Sequence, residues 1–483
     1  MPLSITRRCF VTGSMSLLGA SVSNAWSEKC TQKCPGIKNV TRGSVLHVPN
    51  NTPAGETWRY GIIMAFQVAP RKAAAFCNIR LEYAPGGDLE VGTDVVLFDS
   101  LDKVGDVIIP ISRAHKEPNP NSRPPEQPAI ILKYPVRGGF VPLGAKRPDG
   151  SPHPHAGTGF GLLQTLAEPI YTREQIRASV ENLQDNLEPY TGAEEYRYLE
   201  LQQYEYDGTQ FRVTKSERLS VKELLPGWKM TGLSMTNAIP NGNDFLFGLT
   251  GEGPGASLGT AGVATWRRGP KGWRPTSFVS VTGNDGSNEP SLIRDVDGSL
   301  LFSARGAGDD SRNNLRVWKS GDGGRVWKQV INIRGIVAGP ISINRSAGGS
   351  PYVVSNLYQV ALFPLERKWT IIVGPKLAPQ GGWMRETLCI WPLDESRTGV
   401  HTPMIVRDTR SEFGPPPDRS TWMCDHPSAA TVQLADGIWH NLLGYRIATR
   451  GEMTNYGSDP TPQSGAYLDE VQSAGEPIAI WKF

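Results

Sequence analysis

Three groups of side chains in this sequence have the types and spacing for moving protons or holding an anion. The first is Asp149-Gly150-Ser151-Pro152-His153-Pro154-His155-Ala156-Gly157, which carries two of only seven histidines. A stretch so rich in Gly and Pro reads as an exposed loop, and exposed imidazoles titrate near neutral pH, so His153 and His155 are candidate general bases. The second is a run of phenols at Tyr190, Tyr196, Tyr198, Tyr204 and Tyr206. Tyr196 and Tyr198 are candidate proton donors from that run, most of the others read as strand packing, and Arg212 follows as a candidate anion ligand. The third group is spread over the C-terminal half: Glu289, Arg305, Asn356, Tyr358 and Arg446. Guanidinium forks match a carboxylate or sulfate, an amide matches hydroxyls, and a nearby carboxylate can move protons. The combination suits an acidic, hydroxyl-rich ligand such as an anionic sugar.

Residues so far apart in sequence need a repeating frame to meet. From about residue 195 onward, β-rich runs alternate with Gly and Asp-Gly turns in two interleaved classes of hairpin. One class turns at Asn241-Gly242, Asp297-Gly298, Gly348-Gly349 and Asp436-Gly437. Arg305 lies seven residues beyond Gly298 and Asn356 seven beyond Gly349, which puts them at equivalent strand ends. Paired hairpins recurring every ~50 residues are what the blades of a β-propeller look like. The expectation is an all-β chain: a six- or seven-bladed β-propeller of four-stranded antiparallel blades over residues 56–483. Residues 172–186 carry the one strong helix signal, and residues 477–483 alternate like a strand that closes the ring by completing an N-terminal blade.

Composition limits the partners. The 53 glycines and 39 prolines imply many turns, and 50 basic against 47 acidic residues leave a charge of +3, too balanced for phosphate-backbone binding, so no nucleic-acid partner is expected. Residues 1–25 hold Thr6-Arg7-Arg8-Cys9-Phe10, a small and apolar stretch, and Ser23-Asn24-Ala25, a small-x-small cleavage site. This resembles a twin-arginine export signal and implies a periplasmic or secreted protein, with residues 26–55 as an N-terminal extension. No later run has the ~20 apolar residues of a membrane span. A monomer needing no cofactor is expected. Cys30 and Cys34 could bridge to each other or to Cys77, and Cys424-Asp425-His426 reads either as a metal-ligand cluster, leaving room for a structural metal ion, or as a buried thiol with two neighbours.

Ser320-Gly321-Asp322-Gly323-Gly324-Arg325-Val326-Trp327 resembles the Asp box, or BNR repeat, of sialidase-like propellers, with Val326 in place of the usual Thr. The resemblance implies a structural role for Ser320, Asp322, Gly324 and Trp327. The preceding segment, from Glu289-Pro290-Ser291 to Arg305, resembles the part of that superfamily that brings a Glu and a carboxylate-binding Arg to the channel mouth. Where a sialidase carries an early Arg-Ile-Pro motif this chain has Asn78-Ile79-Arg80-Leu81. His, Tyr and Arg together resemble instead the residue classes of ulvan-lyase-like polysaccharide lyases. The leading expectation is therefore β-elimination at a uronate of an acidic polysaccharide, with His153 or His155 as base and Tyr196 or Tyr198 as acid. The alternatives are a sialidase-type glycoside hydrolase, in which Glu289 activates a tyrosine, and a non-catalytic glycan-binding propeller.

The export assignment makes a direct prediction. Replacing Arg7 and Arg8 together by Lys should trap the precursor in the cytoplasm, as read by fractionation and immunoblotting. Unchanged export would defeat the assignment.

Overall fold

Several strands of this chain are apolar on both faces. Pro351–Asn356 and Thr387–Pro392, for example, are buried along their whole length, so each sheet needs a packing partner on either side. A ring of sheets supplies one. The computed structural model describes residues 36–47, 58–81, 90–113, 115–117, 129–169, 199–220, 230–232, 234–252, 259–306, 313–357, 360–365, 368–373, 385–418, 420–449 and 461–483. The export signal, Cys30, Cys34, residues 172–186, Tyr190, Tyr196, Tyr198 and Tyr358 lie outside them.

The chain forms six antiparallel blades, built on four strands each. Blade 1 runs Trp58–Ala69, Lys72–Leu81, Glu90–Phe98 and Val107–Arg113. Blade 2 runs Ala129–Val141, Thr158–Pro169, Leu199–Tyr206 and Phe211–Leu219, with the short His115–Glu117 added at its edge. In blade 3 the inner strand is split into Met230–Gly232 and Ile239–Asn241, followed by Asp244–Glu252, Thr260–Gly269 and Gly272–Ser280. Blade 4 is Asn288–Arg294, Leu300–Arg305, Leu315–Ser320 and Lys328–Ile333. Blade 5 is Ser342–Arg345, Pro351–Asn356, Thr387–Pro392 and Met404–Asp408, with a separate hairpin, Val360–Leu365 and Lys368–Val373, inserted in its middle. Blade 6 is Trp422–Gln433, Trp439–Thr449, Gly465–Ser473 and, from the other end of the chain, Ile37–Leu46.

The blades hold one another by their inner strands. Hydrogen bonds cross every junction: Leu143 N to Val68 O (2.7 Å), Ala238 N to Gly138 O (2.8 Å), Met235 N to Pro290 O (2.6 Å), Ile343 N to Ser291 Oγ (2.8 Å), Ala429 N to Asn344 Oδ1 (2.9 Å) and Gln433 N to Gln67 Oε1 (2.6 Å). An apolar cluster fills each junction, such as Phe66, Phe76, Phe140, Tyr204 and Phe211 between blades 1 and 2. The core is thus six wedges between blades, and burial of both sheet faces is the main stabilising term.

Ring closure differs from the sequence expectation. Ile37–Leu46, assigned to an N-terminal extension, is the outermost strand of blade 6 and pairs antiparallel with Gly465–Ser473. At its centre the register slips between Thr41 and Ser44, where Gly43 N donates to Asp469 Oδ1 (3.0 Å) and Arg42 reaches Asp469 (3.1 Å) and Glu412 (2.7 Å). Residues 477–483 complete no blade. They cross the end of the ring where the inner hairpins turn: Ile478 N donates to Ala347 O (2.7 Å), Lys482 O accepts from Lys146 N (2.7 Å), and Phe483 stacks on Trp439. Every blade already had its four strands, so this tail had no sheet edge to fill and became a cap. Beneath it lies a cavity of about 480 Å³ in the ring axis, lined among others by Phe66, Asn237, Leu292 and Arg345.

In the turn whose sequence resembles the Asp box, Asp322 Oδ1 accepts from Arg325 N and Val326 N (both 3.0 Å) and from Ser320 Oγ (2.8 Å), and Trp327 packs edge-on against Phe302. Gly323 and Gly324 take φ of 77° and 94°, values a side chain resists. These bonds hold the Asp322 carboxyl below its usual pKa, the Val326 amide contributing most. Asp322→Ala should therefore lower Tm while specific activity per folded molecule stays unchanged. A variant of normal Tm without activity would move this turn into the functional site.

Candidate functional site

Each inner hairpin turns at one end of the ring, so the starts of the inner strands and the ends of the second strands gather at the other. That second end is the mouth. At the start of blade 4, Glu289 forms an ion pair with Arg305 Nη1 (3.2 Å), its neighbour at the end of the second strand. Both side chains open to solvent, at 13% and 16% exposure, and no protein hydrogen bond to Nη2 or Nε of Arg305 occurs among the described residues. Across from Glu289, at the start of blade 6, stands His426, its Nε2 3.9 Å from the Glu289 carboxylate. Its Nδ1 contacts Asp425 Oδ1 at 2.9 Å.

Asp425 is the buried centre of this cluster. It has no exposure, and it accepts from Arg446 Nε (2.6 Å) and from Arg385. Burial alone would raise its pKa, but Arg446, His426 and Arg385 together override burial and hold the carboxyl well below the usual range. Burial and the nearby Arg446 push the His426 imidazole below the ordinary histidine value, against the pull of Asp425, which leaves it neutral at neutral pH. Asn356, at the end of the second strand of blade 5, is fully buried, and its Nδ2 donates to Cys424 O (2.6 Å). Cys424 is itself a buried free thiol whose pKa burial raises.

The structure thus links Glu289, Arg305 and Arg446 through Asp425 and His426, with Asn356 behind them on the Arg385 and Cys424 carbonyls. Arg305 faces solvent, whereas Arg446 is an interior group that holds Asp425 within blade 6, and Asn356 ties blade 5 to Cys424 of blade 6. The sequence expectation missed Arg385 and saw Asp425 and His426 only as members of a Cys-Asp-His cluster. A signal was there: both Glu289 and His426 are followed by Pro and then Ser.

The other candidates lie elsewhere. His153 is as buried as His426, 6% against 5% exposed, but its Nε2 faces Gly242 O (3.3 Å) in an inner-hairpin turn of blade 3, at the end of the ring away from Glu289. His155 sits beside it with its ring edge-on to Trp273. Gly and Pro make that loop tight enough to pack under the C-terminal tail, where Trp481 meets His153, and packing rather than exposure is the outcome. Arg212, on the outer strand of blade 2, pairs with Asp207 at the surface, away from the mouth. Among the described residues the partners of Glu289 are Arg305 and His426, and no tyrosine bonds to it. Tyr204 and Tyr206 are strand packing, buried against Phe76 and Phe211. No group of three or more His, Cys, Asp or Glu arranged to hold a metal ion occurs among the described residues, and no described helix is long and apolar enough to cross a membrane.

No protein-family model and no curated protein matches this sequence. Solved structures similar to it include a protein of unknown function from Dyadobacter fermentans, at 12% identity and TM-score 0.48 over 91% of this chain and 100% of that one. The Trypanosoma rangeli sialidase in complex with 2,3-difluorosialic acid matches at 13% identity and TM-score 0.47 over 90% of this chain and 57% of its own. The intramolecular trans-sialidase from Ruminococcus gnavus in complex with oseltamivir carboxylate matches at 11% identity and TM-score 0.43 over 90% and 98%. These likenesses assign no role to any residue here, and the functional reading rests on the side chains at the mouth.

Buried neutral imidazoles give the fold a pH signature. His426, His153 and His155 all have pKa values lowered chiefly by burial, so the unfolded chain takes up their protons first as pH falls below about 6.5. Their linkage lowers stability on acidification from that point. His440, held by Glu470 and Asp436, has a raised pKa and works in the opposite sense, its contribution being lost as pH rises through the folded value. Thermal melts from pH 7.5 to 5 should show Tm falling, and the fall should be smaller in His153→Gln. An identical pH dependence in that variant would remove His153 from the account.

Proposed function

We propose that the protein is a carbohydrate-active enzyme that hydrolyses a glycosidic bond beside a negative charge, an acidic-glycan hydrolase of the sialidase type. The observation that carries this reading is the solvent-facing guanidinium of Arg305 at the mouth, beside Glu289 and His426. Arg385 and Arg446 are turned inward onto the buried Asp425, whereas Arg305, paired with Glu289 through Nη1, is turned to solvent. The Nη2 and Nε side of that guanidinium is where a sugar carboxylate would dock as a planar fork. Glu289 and the neutral His426 stand beside that position, and an uncharged imidazole can approach an anionic substrate without repulsion.

A second reading is elimination at a uronate. It lost its expected base when residues 153–155 proved to lie at the other end of the ring, but an imidazole near Arg305 keeps it in play, because a guanidinium on the carboxylate acidifies the adjacent C–H. A purely binding propeller would bind an acidic glycan and release no product. Export by residues 1–25 is part of the same proposal and would place the enzyme where such glycans occur.

Purified protein should be incubated with sialosides, uronic polysaccharides and neutral glycans. Hydrolysis yields a new reducing end without ultraviolet absorbance; elimination yields an unsaturated, absorbing uronate. Arg305→Lys keeps the charge but not the planar fork and should lower kcat/KM on the acidic substrate by roughly 10- to 100-fold. Wild-type kinetics in that variant, or cleavage of neutral glycans alone, would overturn the reading.

A further inference from the structure

Two of the six inner strands open with the same local device. In Asn288-Glu289-Pro290-Ser291 the register against the second strand slips by one residue, Asn288 opposing Arg305 and Ser291 opposing Ser303. Asp425-His426-Pro427-Ser428 repeats it, Asp425 opposing Arg446 and Ser428 opposing Gly444. The residue before each proline takes a left-handed backbone, with φ of 50° at Glu289 and 53° at His426. Proline suits such a bulge because it has no N–H to lose from the ladder, and a bulge re-aims the side chain it carries. The two bulges turn Glu289 and His426 toward each other. Of the four described non-glycine residues at positive φ, Arg71 and Arg397 sit in hairpin turns, whereas Glu289 and His426 sit within inner strands and meet.

We propose that Asp425 and His426 form the proton-handling dyad of the mouth, in which Asp425 accepts from Nδ1–H and so presents the Nε2 lone pair of His426 to the water that attacks the glycosidic carbon. This rests on the hydrolytic reading above, with water taking the place of the tyrosine that the sequence expectation had Glu289 activate. Asp425 is the positioning residue. Its carboxylate is fully buried and already accepts from Arg446 and Arg385, so it fixes the imidazole without competing for the proton. The charged groups around the ring are Asp425 on its own strand, Arg446 on the next, Arg385 from blade 5, and Glu289 with its partner Arg305 from blade 4. Burial and Arg446 outweigh Asp425 and keep the ring neutral, the form a base requires. The 3.9 Å between Nε2 and Glu289 is a gap that one water can bridge by donating a hydrogen to each.

In the step itself, the water proton passes to Nε2 and the O–H electron pair forms the new bond to the anomeric carbon. The glycosidic C–O bond breaks with its pair on the leaving oxygen, which takes a proton from solvent, and the imidazolium then returns its proton to solvent. Water is the only co-reactant. Activity should follow the neutral imidazole, so the acid limb of kcat/KM falls as His426 protonates.

His426→Ala in the full chain removes the ring while leaving the ion pairs of Asp425 in place. The expected result is a loss of roughly 10²–10⁴-fold in kcat, a smaller change in KM, loss of the acid limb, and partial rescue by added imidazole. Wild-type turnover, or a loss that imidazole does not restore with the acid limb intact, overturns the proposal. A second readout needs no activity: nitrogen NMR of histidine-labelled protein should show His426 protonated at Nδ1, and in Asp425→Asn the tautomer should shift toward Nε2–H. Should Asp425→Asn fail to fold, the wild-type tautomer still decides, because Nε2–H or a charged ring at pH 7 contradicts the dyad. A wild-type protein with the Nδ1–H tautomer that cleaves no acidic glycan would uphold the tautomer lock and reject the hydrolytic reading instead.

Discussion

Asp425 is a carboxylate without access to water, and the mouth of the ring is organised around it. Taking such a group out of water costs several kcal/mol, which is recovered only if its lone pairs are well occupied. Arg446 and Arg385 occupy them with the His426 ring, and these partners come from blades 5 and 6. The same junction is tied by Asn356 Nδ2 donating to Cys424 O and by Cys424 N donating to Arg385 O (2.7 Å). Losing Asp425 would leave two guanidiniums buried without their shared anion. Joining two blades and aiming an imidazole are therefore one constraint.

The ring has two differently built ends. At one, the inner hairpins turn tightly through glycines at positive φ, including Gly242, Gly298, Gly349 and Gly437, and the C-terminal tail lies across them. At the other, glycine is not used at Glu289 and His426, and a similar backbone is imposed on side chains that carry charge or a proton. Closure by Ile37–Leu46 strengthens this division, since Arg42 and Gly43 lock onto Asp469, which also accepts from the buried Tyr445 hydroxyl (2.5 Å) next to Arg446.

Much of this frame was legible in the sequence because a propeller repeats a simple count. Asp-Gly and Asn-Gly turns located the inner hairpins, and seven residues from Gly298 or Gly349 led to Arg305 and Asn356 at the mouth. The closing strand was not legible, because its partner lies more than 400 residues away at Gly465–Ser473 and no local pattern encodes that pairing. His153 and His155 were misplaced because Gly and Pro report a tight backbone, and whether a tight loop is open or packed depends on what covers it, here Trp481 and Trp273. Asp425 and His426 were hidden by their neighbour Cys424, which suggested a metal. Alternation along the strand sends that thiol into the core, while the bulge at Pro427 turns the imidazole toward Glu289.

Whether Arg305 holds a sugar carboxylate beside the Glu289–His426 pair is decided by a crystal structure of the protein with an acidic monosaccharide. The sugar carboxylate should lie on Nη2 or Nε of Arg305, with the ring over Glu289 and His426 Nε2. A sugar bound with its carboxylate away from Arg305, or seated at the capped end near His153, would contradict that placement.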